Sequence, residues 1–300
     1  MERARRLCET ECMTPSPALV VGRVALAILL LGCRDSPKPE TATKPVEVAA
    51  AITDPDVAAA VASCDAGKAS ECTKAGILYE DGKGVPKSDA IAAKHYQRAC
   101  DAKDISGCNN LGIMLEYGRG VPKDLTKAAA AYAIVCDGGA PTGCTKLAGL
   151  WLGGGTEDQK KAFALLDRAC AANHPLGCSN LGACYEKGLG VTVDLPRALH
   201  TYEHACELGS AIGCWNAGSA YEHGRGVKVD IAKATTLFEN ACTHHEGDGC
   251  ASLGRLVRAD EARARELFAL ACKLGVSPTG AKVLAASGAP CGADSRVIER

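Results

Sequence analysis

The chain has 300 residues, 47% apolar and 23% charged, with 34 basic and 35 acidic side chains. That balance fits a soluble protein and gives no whole-molecule field to draw in nucleic acid. Eighteen cysteines and 33 glycines against 12 aromatic residues exclude an ordinary reduced cytosolic enzyme, unless the thiols hold metal.

Met1 and Met13 are both possible starts. After Arg23 comes an apolar core, Val24 to Leu31. As a helix it spans roughly 12 Å, too short for a bilayer of about 30 Å. A positive residue, a short apolar run and a small residue are the layout of a secretory signal, expected over residues 1–32. Leu30-Leu31-Gly32-Cys33 resembles the lipobox of bacterial lipoproteins, although Leu31 is a less usual occupant of its place. The resemblance implies cleavage before Cys33 and acylation of Cys33, hence a membrane-held protein of the bacterial envelope that faces the periplasm, with the outer membrane favoured, or else a secreted one. A signal cut elsewhere and an uncleaved anchor are the alternatives. Residues 33–53 read as a flexible tether, since the Pro-, Lys-, Glu- and Thr-rich stretch from Arg34 to Val48 has too little apolar surface to fold.

From residue 54 a ladder begins. Cys64/Cys72, Cys100/Cys108, Cys136/Cys144, Cys170/Cys178, Cys206/Cys214 and Cys242/Cys250 are each separated by seven residues. Their first members recur at intervals of 36, 36, 34, 36 and 36. That period belongs to helix–turn–helix solenoids, whose units bury their apolar faces by stacking. Tyr79, Leu115, Trp151, Tyr185, Tyr221 and Val257 share one phase; Tyr96, Tyr132, Leu166, Tyr202, Phe238 and Phe268 share another. An aromatic stripe at fixed phase is core packing.

Helix A of each unit is predicted to begin near the second cysteine and end at glycine loops: Gly82-Lys-Gly84, Gly118-Arg-Gly120, Gly188-Leu-Gly190 and Gly224-Arg-Gly226. Asp89, Asp124, Asp194 and Asp230 are expected near the start of helix B. The glycine pairs lack the third glycine, the preceding strand and the Lys-Ser/Thr of a nucleotide site, so no nucleotide is expected.

The pattern Leu181-Gly182, Tyr185, Gly188, Gly190, Val191 resembles the Sel1-like repeat, a relative of the tetratricopeptide repeat. With a cysteine pair in every unit, the chain is most similar to the Helicobacter cysteine-rich protein type over residues 54–287. The resemblance implies an all-α, right-handed superhelical solenoid of about six repeats, followed by a C-terminal tail over residues 288–300. It departs locally. The third unit has Gly153-Gly-Gly155 and loses two residues, the sixth has Arg258-Ala-Asp-Glu-Ala-Arg263 in place of the glycine loop, and the last helix is a degenerate cap.

Within each cysteine pair the first member closes helix B and the second opens the next helix A, so a helical hairpin brings them into disulfide range. Each bridge is worth roughly 2.5 kcal/mol in the chain-entropy model. Structural zinc is the rival reading, but its cysteines usually stand two to four residues apart and one pair supplies only two ligands. No metal and no cofactor are expected. Cys184 falls at a core phase and reads as a buried thiol; Cys272 and Cys291 can bridge each other and tie down the tail.

His200 and His204 lie four apart on one helix face, a spacing that can hold a metal ion. Arg98, Arg168 and Asn240 stand at the phase of His204, which reads as an exposed variable surface. His244-His245 reads as a solvated loop beside Glu246 and Asp248. No catalytic residue emerges. Relatives of the cysteine-rich type have been associated with penicillin binding and weak β-lactamase activity, but the S-x-x-K, S-D-N and K-T-G motifs of such enzymes are missing from the predicted helices. A hydrolase is therefore the alternative reading, and an envelope spacer another. The favoured one is a non-catalytic scaffold that takes a protein or peptide partner in a groove lined by helix A. Lys74, Asn110, Lys146, Asn180, Asn216 and Ser252 form a polar ladder suited to a peptide backbone, and Trp215 is either an exposed anchor or packing against a neighbouring helix.

Overall fold

The computed structural model describes residues 54–288 and Cys291. Cys33, the signal-like segment and the tether lie outside the described residues. The described chain is helical: α1 (Pro55–Asp65), α2 (Ala69–Asp81), α3 (Asp89–Asp101), α4 (Ile105–Tyr117), α5 (Leu125–Asp137), α6 (Pro141–Leu152) and α7 (Thr156–Ala171). It continues as α8 (Pro175–Lys187), α9 (Leu195–Glu207), α10 (Ala211–His223), α11 (Ile231–Thr243), α12 (Gly247–Leu256), α13 (Glu261–Leu274) and α14 (Pro278–Ala286). Even-numbered helices are the A helices of the repeats and odd-numbered ones the B helices. Neighbours in sequence pack side by side, and successive A helices also touch one another more extensively than successive B helices do. The result is an α solenoid.

Local chemistry sets the helix ends. Asp124, Asp194 and Asp230 each accept the amide three residues on and cap α5, α9 and α11. In α3 the cap is Ser88, and Asp89 is instead the first helical residue. The glycine loop does two jobs. Gly118 ends α4 at φ 71°, a left-handed turn that costs glycine little. Gly120 also has positive φ, and a Cβ there would sit 2.2 Å from the carbonyl carbon of Asp89 at the start of α3. The first glycine thus closes a helix, and the second lets the loop lie on the helix B of the preceding repeat.

The core is a repeated pairing of glycine with an aromatic ring. A Cβ on Gly76, Gly112, Gly182, Gly218 or Gly254 of an A helix would lie 2.4–2.8 Å from Tyr96, Tyr132, Tyr202, Phe238 or Phe268 of the following B helix. Those rings are 0–5% exposed. Where tyrosine is used, its hydroxyl donates to an A-helix glutamate: Tyr96 to Glu80 at 2.7 Å, Tyr132 to Glu116 at 2.6 Å and Tyr202 to Glu186 at 2.8 Å. Burial, helped by the glutamate beside each, pushes these phenols far above their ordinary pKa. Arginines of the next repeat then reach the same carboxylates, Arg119 to Glu80 at 2.8 Å and Arg225 to Glu186 at 2.5 Å. Arg255 pairs with Glu222, the equivalent glutamate of the repeat that carries Phe238.

Seven disulfides stitch the helices together. Six join a B helix to the next A helix (Cys64–Cys72, Cys100–Cys108, Cys136–Cys144, Cys170–Cys178, Cys206–Cys214, Cys242–Cys250), with Cα atoms 4.4–4.6 Å apart. Cys272–Cys291 closes the C-terminal cap across 5.4 Å. The linker inside each six-bridge pair turns through a left-handed residue three places after the first cysteine: Gly67, Lys103, Gly139, Asn173, Gly209 and His245.

Two surface readings change. The phase of Arg98, Arg168 and Asn240 is not a merely variable face. Arg98 donates to the Cys64 carbonyl at 3.1 Å and pairs with Asp65 at 2.6 Å, and Arg168 binds the Cys136 carbonyl. Each thereby covers the end of the preceding B helix, where unsatisfied carbonyls and the negative dipole end favour a cation. The loop at His244-His245 is solvated only at the histidines. Glu246 and Asp248 are 4% and 1% exposed; α14 packs against Asp248, and the Ser277 amide donates to it at 2.9 Å.

Candidate functional site

The polar ladder of the A helices divides in the structure. Lys74 is exposed, while Asn110, Lys146, Asn180 and Asn216 are half-buried. The Lys146 ammonium lies 5.6 Å from the centroid of the Tyr132 ring, and Asn110 accepts from Asn109 at 3.3 Å. Asn180 and Asn216, on the consecutive A helices α8 and α10, make no side-chain hydrogen bond among the described residues. Between α2 and α4 a hollow of about 280 Å³ is lined by Thr73, Lys74, Ile77 and Asp104.

The last rung, Ser252, is buried and accepts the Trp215 indole N–H at 3.2 Å. Trp215 itself is half-buried, packed among Cys206, Cys214, Ala241 and Leu237. The edge of its ring is thus committed to α12, as packing between neighbouring helices.

One residue before each rung runs a second ladder, which links repeats to each other. Thr73 donates to Asp104 at 2.7 Å, Thr145 lies 3.0 Å from His174 Nδ1, and Ser179 shares a 2.7 Å hydrogen bond with Ser210. Asp104, His174 and Ser210 are the N-caps of α4, α8 and α10. The helices α2, α6 and α8 therefore each hold the cap of the next A helix. The second repeat breaks the chain of bonds: Ala140 is the cap residue there, and the buried Asn109 Oδ1 is left without a partner. The sequence signal for this ladder is a capping residue 31 or 29 places after the hydroxyl residue, just before α4, α8 and α10.

The histidines occupy distinct settings. His95 falls at a phase held elsewhere by Ala131, Leu165, Thr201 and Leu237, and is buried there. It stacks on Tyr79 at 5.6 Å, with Nδ1 3.7 Å from Cys64 Sγ, and burial holds its pKa below the usual histidine value. His174 is also held low by burial, and its Nδ1 accepts the Gly177 amide at 3.1 Å. His200 is exposed and His204 half-buried. With Asp167, Cys170, Tyr185 and Arg197 they line a hollow of about 340 Å³ between α7 and α9. A larger hollow, about 530 Å³, lies between α3 and α5 against Leu111 and Leu115. Cys184 is completely buried, and its thiol is pushed up to about 11, so it supplies no thiolate near neutral pH. Among the described residues no helix is long and apolar enough to cross a membrane.

The model of one family, the Sel1 repeat, matches residues 72–104, 105–132, 141–174, 175–210, 211–245 and 249–276. Among solved structures, the chain is similar to a Sel1 repeat protein from Oxalobacter formigenes, with a TM-score of 0.64 and 20% identity over 72% of this chain and 96% of that one. It is also similar to c5321, described as a protective antigen present in uropathogenic Escherichia coli strains and displaying an SLR fold, with a TM-score of 0.63 and 21% identity. That match covers 78% of this chain and 51% of the other. Helicobacter pylori cysteine rich protein B is 34% identical over 43% of this chain and 93% of its own length, with a TM-score of 0.37. No curated protein matches the chain.

Proposed function

Because the chain belongs to the Sel1 repeat family, we propose that its solenoid is an extracytoplasmic scaffold that binds a protein partner, gripping an extended segment along the A helices. The observation that carries this reading is the pair of unpartnered amides on α8 and α10. Asn180 and Asn216 sit at the same place in consecutive repeats and are only half-buried. A carboxamide offers both donors and an acceptor, which matches the alternating N–H and C=O groups of an extended backbone. The closer approach of successive A helices supports placing them on the inner side of the curve, where a segment crosses several repeats. Lys74 and Lys146 continue the same line toward the N-terminal end, and Trp215 adds an aromatic rim beside Asn216.

Seven disulfides support an oxidising compartment. In this reading Cys33 carries the lipid, residues 33–53 are the tether, and the solenoid faces the periplasm from the membrane.

Photo-crosslinking tests the groove. A photoreactive residue in place of Asn180 is expected to capture one partner in the native envelope, while the same residue in place of Thr236 on α11 captures none. Asn180→Ala with Asn216→Ala should then weaken binding of the captured partner by about tenfold or more, the effect of losing two hydrogen bonds to a buried backbone. Equal capture from both faces, or unchanged affinity in the double variant, would refute the groove. The Cys33→Ala chain, fractionated in parallel, should leave the membrane pellet; retention there would refute the lipid anchor.

A further inference from the structure

One of the six inter-repeat disulfides differs from the others in exposure and in what faces it. In three repeats the residue two places before the first cysteine reaches back to the preceding pair, Arg98 and Arg168 to the carbonyls of Cys64 and Cys136 and Asn240 Nδ2 to within 3.8 Å of Cys206 Sγ, while before Cys136 the place holds the apolar Ile134. In α9 that place belongs to His204, and the pair behind it is Cys170–Cys178. An imidazole nitrogen of His204 and the two sulfur atoms all lie within 4.8 Å of one another. Cys170 is also the only half-buried member of the six pairs; the other eleven cysteines are buried. The hollow between α7 and α9 opens onto Cys170, with His200 one helical turn before His204 on the same wall. His95 near Cys64 makes a useful contrast, since that histidine and both its cysteines are buried and no second histidine stands beside them.

We propose that Cys170, Cys178 and His204 are a latent site for a thiophilic divalent cation of the zinc class, uncovered when this disulfide is reduced. A dithiol reductant supplies two electrons and two protons; the Cys170–Cys178 bond breaks, and the reductant leaves as its own disulfide. The cation then displaces one proton from each thiol into solvent and forms two thiolate bonds and one imidazole bond. Three protein ligands with a fourth position open to solvent is an arrangement zinc accepts, and His200 or a water fills that position. The Glu207 carboxylate, 3.8 Å from His204 Nδ1, helps to orient the ring. Reduction also frees the sulfurs to move apart to tetrahedral spacing, which the intact disulfide forbids.

The test uses the full chain and graded tris(carboxyethyl)phosphine, each reduction consuming one phosphine and one water and giving the phosphine oxide. Alkylation mapped by mass spectrometry is expected to label Cys170 and Cys178 before any other inter-repeat pair, the half-buried Cys272–Cys291 bridge of the cap being scored separately. After removal of the phosphine, cadmium titration should show one thiolate-to-metal absorption per chain, displaced by zinc. His204→Ala should weaken cadmium binding about tenfold or more, and Cys170→Ser with Cys178→Ser should abolish it, with helicity monitored by circular dichroism. If the serine pair does not fold, His204→Asn beside the solvent-facing control His244→Ala decides the question. Opening of a different inter-repeat pair first, cadmium uptake that follows the number of reduced inter-repeat pairs, or unchanged affinity in the His204 variants would overturn the proposal.

Discussion

The third and fourth repeats meet the same packing requirement with different side chains. In the fourth, Gly182 makes room for Tyr202, and Glu186 accepts the buried tyrosine hydroxyl. In the third, the three equivalent places hold Ala148, Leu166 and Leu152. Leu166 is smaller than tyrosine, so the facing residue can carry a methyl group, and without a hydroxyl no acceptor is needed. The third repeat also lacks the glycine-pair turn; Gly153 to Gly155 leads directly into α7, whose 16 residues exceed the 13 of α9. Because three positions change together, they form one packing unit: ring size decides the residue facing it, and a buried hydroxyl requires the glutamate above it, a residue that the fifth repeat keeps as Glu222 beside Phe238 for its pair with Arg255.

The largest expected effect comes from breaking that unit in one place. Gly182→Ala puts a Cβ 2.6 Å from the Tyr202 ring and should cost about 1–3 kcal/mol by overpacking. Adding Tyr202→Leu and Glu186→Leu, which copies the third repeat, should recover most of that loss. Urea unfolding of the single and triple variants measures both. A triple variant no more stable than Gly182→Ala would show that the three positions are not coupled.

A smaller effect distinguishes the joints between repeats. The fourth repeat is capped onto the third through His174, while the second is held by Asp104 and the fifth by Ser210. Burial lowers the His174 pKa, and its Nδ1 must stay unprotonated to accept the Gly177 amide. The unfolded state therefore binds the proton more readily. The stabilisation is complete above the unfolded histidine pKa of about 6.5 and is lost as pH falls through that value toward the folded one. His95, also depressed, adds to the effect with the same sign. Thermal melts of the native chain should fall between pH 7 and pH 5, and His174→Asn, which keeps a capping acceptor, should flatten part of that slope. An identical pH profile in the variant would exclude His174 as the source.

The smallest effect concerns the linkers. Lys103 and His245 adopt positive φ where Gly67, Gly139 and Gly209 stand in other repeats. Lys103→Gly should stabilise by up to about 1 kcal/mol, and Asn173→Gly by less, since asparagine tolerates that conformation. A melting temperature lowered by Lys103→Gly would show that its side chain contributes more than its backbone strain costs.

Much of the fold was legible because its determinants repeat at fixed spacing. The seven-residue gap within each cysteine pair, the glycines after the A helices and the stripe from Tyr96 to Phe268 depend on contacts within one helical hairpin. Less of the candidate site could be read. Trp215 breaks the pattern of its phase, but its spacing does not show whether the ring faces solvent or Ser252, 37 residues later. Asp89 stands near the start of helix B as expected, but spacing did not show that a one-residue difference in the loop makes Ser88 the cap. Burial of Asp248 required α14 to fold back over it.

The sequence by itself therefore determined the helices, their order and which cysteines lie close enough to join, because short-range sterics and capping act within a few residues. Only the tertiary structure decided what each repeat does to the next: Gly120 against Asp89, Thr73 on the cap of α4, and His204 against the Cys170–Cys178 disulfide. Those contacts depend on the rotation between stacked repeats. That rotation comes from the packing of whole helix faces, and no local pattern in the chain specifies it.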